Sequence, residues 1–311
     1  MLGEVSFRPT EIEAYDRGPL TVDCHARSLA VRLDMWQVEA MTTTTPESKW
    51  VEANGLRLHY LDWGNPGARP LLLLHGLQDC APLWQSFAGA IADRHHVVAL
   101  DHRGHGDSPR ADVYPVSDYV DEVADVVRRL GLEDLTLIGH SAGSKNAWMC
   151  VAQNPGIAKR LVITDMDPDS HNPGSVAMIS RYKAEDDEYS NIDEVVARLR
   201  DRQPNASEKE TRYDAEVMTT TMPNGKLTWK RSRDVVTRYD RPDVWDVLPQ
   251  VAVPTLIVRG ADSTLLRHDV AVRMEAAIPD CRLVEIPGGG HWIHLEQPSA
   301  YLQAVGEFLV A

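Results

Sequence analysis

Basic charge is scarce in this chain: 32 Lys and Arg face 46 Asp and Glu, a formal net charge of −14. A surface of that sign repels phosphate backbones and anionic lipid headgroups, so neither nucleic acid nor membrane is expected as a partner. Cysteine is scarce too. Cys24, Cys80, Cys150 and Cys281 are scattered, with neither the paired spacing of a zinc site nor that of a disulfide framework. That usage fits a reducing compartment and gives no reason to expect a metal. Also missing is an apolar run of membrane-spanning length, and the early stretch SLAVRLDMWQVEAM is broken by Arg32 and Asp34, with no basic leader before it. The expectation is a soluble cytoplasmic protein that needs no cofactor and whose partner is a small-molecule substrate. Oligomeric state leaves no readable mark.

Enough remains for a full-sized core. The 311 residues are 43% hydrophobic, which suits one large α/β domain carrying an insertion. Residues 1–48 show mixed charge and no clear period, ending in the polar run TTTTPESK, and read as a peripheral or poorly ordered extension. Met41 then becomes a candidate true start, and a short docking helix over Ser28–Ala40 is the competing reading.

From Trp50 the pattern sharpens. Two β-rich runs flank Asn54-Gly55, the pair that supplies the positive φ angles of a two-residue hairpin. Short apolar runs then alternate with helical patterns: LLLL at 71–74, a helix near Trp84–Asp93, HVVALD at 96–101, a helix over Ser117–Leu130 ending at Gly131, and LTLIG at 135–139. Buried parallel strands and their crossover helices read this way. The rhythm continues through a helix to about Gln153 and RLVITD at 160–165, fails over residues 166–248, and resumes with PTLIVRG, a helix over His268–Ala277, CRLVEIP and a last helix from Pro298. Residues 49–165 and 249–311 are thus expected to form the core. The polar, helix-rich stretch 166–248 reads as a helical lid inserted after the sixth strand.

Chemistry concentrates in GHSAG at 139–143, a GxSxG pentapeptide between an apolar strand and a helix. The glycines permit a strained turn that exposes the Ser141 hydroxyl, and the helix directs its positive end at the reaction centre. A serine hydroxyl needs a base, and the base needs a carboxylate that holds its tautomer. His291 fits, at the tip of the PGGGHW loop after a late strand; His75, His102, His105 and His140 read as structural, and His268 and His294 as surface. Two acids compete. Asp262, after LIVRG, is the first choice; Asp165, at the end of the strand following the nucleophile helix, is the alternative, since both emerge where open α/β sheets bind ligands. Asp167, Asp169 and Asp269 read as loop or cap carboxylates. The amides of Ala142 and Leu77, the latter in HGLQD at 75–79, are the candidate oxyanion donors.

The ordered set LLLLHGLQD, DHRGHGDSPR, GHSAG, RGADS and GGGHWIHLEQP resembles the α/β-hydrolase superfamily from about Trp50 to the C terminus. That resemblance implies an α/β-hydrolase fold, a triad of Ser141, His291 and Asp262, an oxyanion hole at Leu77 and Ala142, and a cap over 166–248. It gives DHRGHGDS a structural role, with Arg103 fixing a turn. Some relatives take their acid from the strand after the nucleophile helix, so Asp165 stays open. Serine at position 141 disfavours the dehalogenase and epoxide-hydrolase branches, which use aspartate. Lys145-Asn146 resembles an Arg-Asn pair in a branch acting on carboxylate-bearing enamides, so Lys145 is a candidate for substrate carboxylate, against an ordinary exposed or salt-bridged role. Trp229 and Trp245, with Arg181, Lys183 and Arg198, are candidates for shaping the pocket. The expected activity is cofactor-independent ester or related acyl hydrolysis through an acyl-enzyme. Carbon–carbon, enamide or amide hydrolysis with the same triad, and a non-catalytic small-ligand receptor, are the alternatives.

Overall fold

A computed structural model describes residues 44–169 and 172–310. The extension read over 1–48 and the helix over Ser28–Ala40 therefore lie outside the described residues, apart from 44–48; of these, Glu47 and Ser48 already belong to the first strand.

The chain opens with β1 (Glu47–Ala53) and β2 (Leu56–Asp62), an antiparallel pair closed by Asn54 and Gly55 at φ 45° and 74°. β3 (Pro70–Leu74) is buried at every position and leads through a 3-10 turn at Ala81–Trp84 into α1 (Gln85–Ile91). β4 (His96–Leu100), α2 (Val116–Leu130), β5 (Thr136–His140), α3 (Ala142–Gln153) and β6 (Arg160–Thr164) follow. The amphipathic α2 buries Val116, Val120, Val123, Ala124 and Val127 and stops at Gly131 in the left-handed conformation.

After β6 the insertion contributes α4 (Pro173–Ala184), β7 (Glu188–Tyr189), α5 (Ile192–Arg202), α6 (Glu208–Met218), β8 (Thr219–Thr221), β9 (Leu227–Trp229) and α7 (Arg233–Thr237). The helix-rich insertion also carries three short strands that the sequence reading did not name. The three strands form a small antiparallel sheet in the order β7-β9-β8. A hairpin through Asn224-Gly225 supports it, with the Met222 amide donating to the Lys226 carbonyl at 2.8 Å. That Asn-Gly pair between two β-branched or apolar runs was the available signal. The core resumes with β10 (Thr255–Gly260), α8 (His268–Ala277), β11 (Cys281–Ile286), the single turn α9 (Ile293–Glu296) and α10 (Pro298–Val310).

The main sheet runs β1-β2-β4-β3-β5-β6-β10-β11, parallel from β4 onward. Its principal core packs α2, α3 and α8 on one face, around Leu72, Leu137, Leu161, Ile257 and the fully buried Trp148. No helix among the described residues is long and apolar enough to cross a membrane. Cys80, Cys150 and Cys281 are free thiols.

The turn 101–110 has the structural role expected of it. Arg103 is buried, with its Nη2 2.6 Å from Glu122 Oε1 on α2, a second contact to Asp118, and Nη1 donating to the Val113 carbonyl at 3.1 Å. Burial pushes the Glu122 carboxyl up to about 7, against the pull of the guanidinium. Arg103→Ala leaves that carboxylate buried and uncompensated, so chemical denaturation should show a loss of about 3–5 kcal/mol. A loss below about 1 kcal/mol would mean the pair does not hold the turn.

Candidate active site

Ser141 and Asp165 stand just beyond the carboxyl ends of neighbouring parallel strands, β5 and β6, and both hold positive φ, 52° and 48°. Side chains other than glycine avoid this region, and such strain persists only where surrounding structure enforces it. Here the enforcement is visible. The Ser141 amide donates to the Thr164 carbonyl at 2.9 Å and the Asp165 amide to the Val258 carbonyl at 2.9 Å. The turn admits only glycine at 139 and 143. A Cβ at Gly139 would strike the Ser144 backbone, and one at Gly143 the carbonyls of Leu74 and His75.

The strained turns bring three side chains together. With its proton on Nδ1, His291 donates to Asp165 Oδ2 at 2.7 Å, which leaves Nε2 to accept the Ser141 hydroxyl at 2.9 Å. Asp165 also accepts from Ser263 Oγ at 2.6 Å and from the Gly260 amide at 3.3 Å. Burial lowers His291 well below the ordinary imidazole value, and the charge environment of His140 adds to this. Burial likewise pushes Asp165 up to about 7 despite the Ser263 hydrogen bond.

This corrects the first choice of acid. Asp262 makes no hydrogen bond to His291; its side chain is exposed, and its amide donates to the Gly289 carbonyl at 2.9 Å, bracing the histidine loop. The carboxylate at the histidine is Asp165. The physical reason lies in the sheet order, which sets β6 beside β10, so that two acids leave adjacent strand ends. Ser263, one residue beyond Asp262, turns inward to hold Asp165.

The loop Gly76–Asp79 lies against Ser141: a Cβ on Gly76 would sit 3.1 Å from Ser141 Cβ. The Gly76 carbonyl accepts from the Asp79 amide at 3.1 Å and from His75 Nδ1 at 2.8 Å. In a trans peptide the N–H points opposite its carbonyl, so the Leu77 amide is turned away from those donors. Ala142 opens α3, where an amide has no acceptor inside the helix. Leu77 and Ala142 share one buried cluster.

Several expectations change. Lys145 is not exposed and is absent from the lining of the pocket beside His291. It is fully buried, donates to the Pro242 carbonyl at 3.3 Å, and is pushed down to about 8 by burial, with Asp167 opposing. It sits where the insertion leaves and rejoins the core. Trp229 packs inside the insertion against Tyr189, and Trp245 lies under Arg273 at 3.8 Å, so neither lines the pocket beside His291. His294 is buried, stacked 4.7 Å from Trp84 and 4.5 Å from His140, rather than on the surface; His268 is exposed as expected.

Two of the sequence candidates, Arg181 and Arg198, do line a pocket, together with residues that no motif announced. A pocket of about 460 Å³ opens beside His291 and Trp292, walled by Met178, Arg181, Tyr182, Arg198 and Arg202 of the insertion. Arg202 is tied to the core by two contacts. Its Nη1 lies 3.2 Å from Asp79 Oδ1 and its guanidinium 4.5 Å over the Trp292 ring. The other Asp79 oxygen is 3.2 Å from His140 Nδ1, and His140 Nε2 donates to the His291 carbonyl at 3.0 Å. Asp79 in HGLQD was a usable signal; nothing in the sequence marked Arg202.

The sequence model of the alpha/beta hydrolase family matches residues 71–304. The chain belongs to this family. The α/β-hydrolase chain is 28% identical over 249 residues to 2-(acetamidomethylene)succinate hydrolase of Mesorhizobium japonicum, covering 79% of this chain and 90% of the relative. It is likewise 28% identical over 248 residues to an sn-1-specific diacylglycerol lipase of Mus musculus, covering 77% and 80%. A solved structure of E-2-(acetamidomethylene)succinate hydrolase superposes with a TM-score of 0.81 at 27% identity, covering 86% of this chain and all of that one. These relatives are hydrolases, and hydrolase activity is what membership of this α/β-hydrolase family supports for the chain.

The Arg202–Asp79 pair carries a testable load. Burial pushes the Asp79 carboxyl up, but Arg202 and then His140 outweigh it and hold the group below the ordinary carboxylate range. A depressed carboxylate contributes stability at neutral pH that is lost as acid titrates it. Arg202→Met should therefore cost about 3–5 kcal/mol at neutral pH and flatten the loss of stability on acidification. Denaturation at neutral and acidic pH checks both; equal losses at the two values would refute the pairing.

Proposed function

We propose that the protein is a cofactor-independent serine hydrolase of small carboxylic esters or related acyl compounds. The observation that carries this reading is the unbroken hydrogen-bonded chain from Asp165 through His291 to Ser141. His291 takes the Ser141 proton as the hydroxyl attacks the carbonyl, and Asp165 stabilises the imidazolium that forms. The amides of Leu77 and Ala142 receive the oxyanion. Collapse expels the leaving group, which takes the proton from His291. A water activated by the same ring then releases the acid. The insertion acts as a lid, and the charge and cysteine usage of the sequence fit a cytoplasmic setting.

A second reading is favoured by the pocket wall. Arg181, Arg198 and Arg202 border the cavity beside His291, each paired with Glu185, Asp201 or Asp79, and their guanidinium N–H groups outside those pairs are the donors a substrate carboxylate would use. The similarity to a hydrolase named for an acetamidomethylene-substituted succinate supports an acidic amide or enamide as substrate on the same triad.

Turnover of neutral p-nitrophenyl esters against carboxylate-bearing amides and enamides separates the two readings. Ser141→Ala should lower kcat by roughly 10⁴-fold or more on whichever substrate is turned over, and Asp165→Asn by about 10⁴-fold through the wrong imidazole tautomer. Asp262→Asn should leave kcat close to wild type; a larger loss there than at Asp165 would return the acid to position 262.

The pH profile follows from the depressed imidazole. His291 is active only when neutral, so activity falls as pH drops through its pKa. Burial places that pKa well below 6.5. The acidic limb of kcat/KM should have its midpoint below 6.5, and a midpoint at or above that value counts against His291 as the base.

A further inference from the structure

A Ser–His–Asp relay of matching dimensions is built a second time, at the β1 edge of the sheet. Ser48 Oγ lies 2.8 Å from His59 Nε2, and His59 Nδ1 lies 2.7 Å from Asp101 Oδ2. The strand register explains the assembly. Ser48 pairs with Leu61 and Trp50 with His59, so the period of two sets Ser48 and Trp50 on the same face as His59. Asp101 follows β4, whose neighbour is β2, and its own amide donates to the His59 carbonyl at 3.0 Å.

The relay is held rigidly. Asp101 Oδ1 accepts from the Ala81 amide at 2.7 Å, and Oδ2 accepts from the Asp107 amide at 3.0 Å as well as from the ring. These bonds keep the carboxylate anionic and aimed at Nδ1. The histidine proton is thereby fixed on Nδ1, and Nε2 faces the serine as an acceptor. His59 and Asp101 are buried, with side-chain exposures of 2% and 1%, whereas Ser48 is exposed. His59, Asp101 and Asp107 also group closely enough to hold a cation, but both ring nitrogens already carry hydrogen bonds within the protein, so the ring belongs to the relay. Beside the hydroxyl, the Trp50 ring stands 5.2 Å from the His59 ring, 45% exposed, with the Arg57 guanidinium 5.3 Å from its centroid. The half-exposed Trp50 ring, with the Arg57 guanidinium over it, offers an aryl ester an aromatic and cationic surface beside the hydroxyl.

We propose that Ser48 is a second activated nucleophile, a surface modification site that takes up the acyl group of activated aryl esters. The Ser48 oxygen attacks the ester carbonyl, forming the new C–O bond as its proton passes to His59 Nε2. Collapse breaks the bond to the aryl oxygen, which leaves as the phenol with the proton from His59. Ser48 stands on an extended strand, not at the N-terminus of a helix as Ser141 does. Activation without that oxyanion support predicts a stoichiometric acyl-serine in place of turnover. This site is independent of the Ser141 reading.

The test uses p-nitrophenyl acetate on the full chain carrying Ser141→Ala. The expected result is a burst of one equivalent of p-nitrophenol, with acetyl mapped by tandem mass spectrometry to Ser48 and not to the adjacent Lys49. The burst should vanish on adding Ser48→Ala and slow on the order of 10²-fold on adding His59→Gln. Because His59 is buried, an internal reference is read in the same digest: Ser190 is exposed, and among the described residues its hydroxyl has no histidine partner. Ser48 should be acetylated on the order of 10²-fold faster than Ser190. Acetyl on Lys49 alone, or equal rates at Ser48 and Ser190, would overturn the proposal.

Discussion

Everything at the site depends on one buried proton held between Asp165 and His291. Both groups are withdrawn from water, so each is costly to charge alone, and the 2.7 Å contact joins them because each is the other's solvation. The strain at Ser141 and Asp165 serves this contact. A serine at φ 52° lifts its oxygen off the strand axis toward Nε2, and an aspartate at φ 48° turns its carboxylate along the sheet edge toward Nδ1. Neither bend survives without the backbone bonds from β6 and β10 that hold the two amides.

The insertion is tied into the same arrangement through charge. Arg202 closes α5 and ends in a buried ion pair with Asp79, two residues after the Leu77 amide. Asp79 in turn faces His140, which touches the backbone of His291. A displacement of α5 would thus strip the counter-charge from a buried carboxylate beside the loop that lies against Ser141. The energetic cost of that separation couples the position of the insertion to the geometry around Ser141 and His291.

The elements of the core were legible because each obeys a local rule. The Asn-Gly turn, the all-apolar β3, the α2 stripe ending at Gly131 and the GxSxG elbow are decided by residues near one another in the chain. What failed were questions of packing between distant segments. Asp165 and Asp262 both end parallel strands, and only the adjacency of β6 and β10 decides which carboxylate faces His291. Lys145 has the composition of a surface residue, yet the returning segment at Pro242 covers it. His294 lies one turn from the loop and is buried only because Trp84 and His140 arrive from elsewhere. Trp229 and Trp245 were read as pocket walls on residue type alone, but Trp229 packs in an apolar cluster behind the pocket lining and Trp245 packs under Arg273.

The two relays in this molecule separate activation from transition-state stabilisation. Ser141 and Ser48 see histidines at 2.9 and 2.8 Å and those histidines see carboxylates at 2.7 Å. The hydrogen-bond distances of the two relays are thus closely matched. What differs is the ground each serine stands on: a glycine-flanked elbow with a helix behind it and the 76–79 loop across from it, or a flat strand at the edge of the sheet. An oxyanion donor is worth roughly 10²–10³ in rate, and two such donors act on both acylation and deacylation. A serine with the relay alone can be acylated by an ester reactive enough to need no such help, and then keeps the group. On the two readings proposed above, one fold holds the same hydrogen-bonded relay in two settings, and whether the serine turns over or stays acylated reduces to where the backbone amides point.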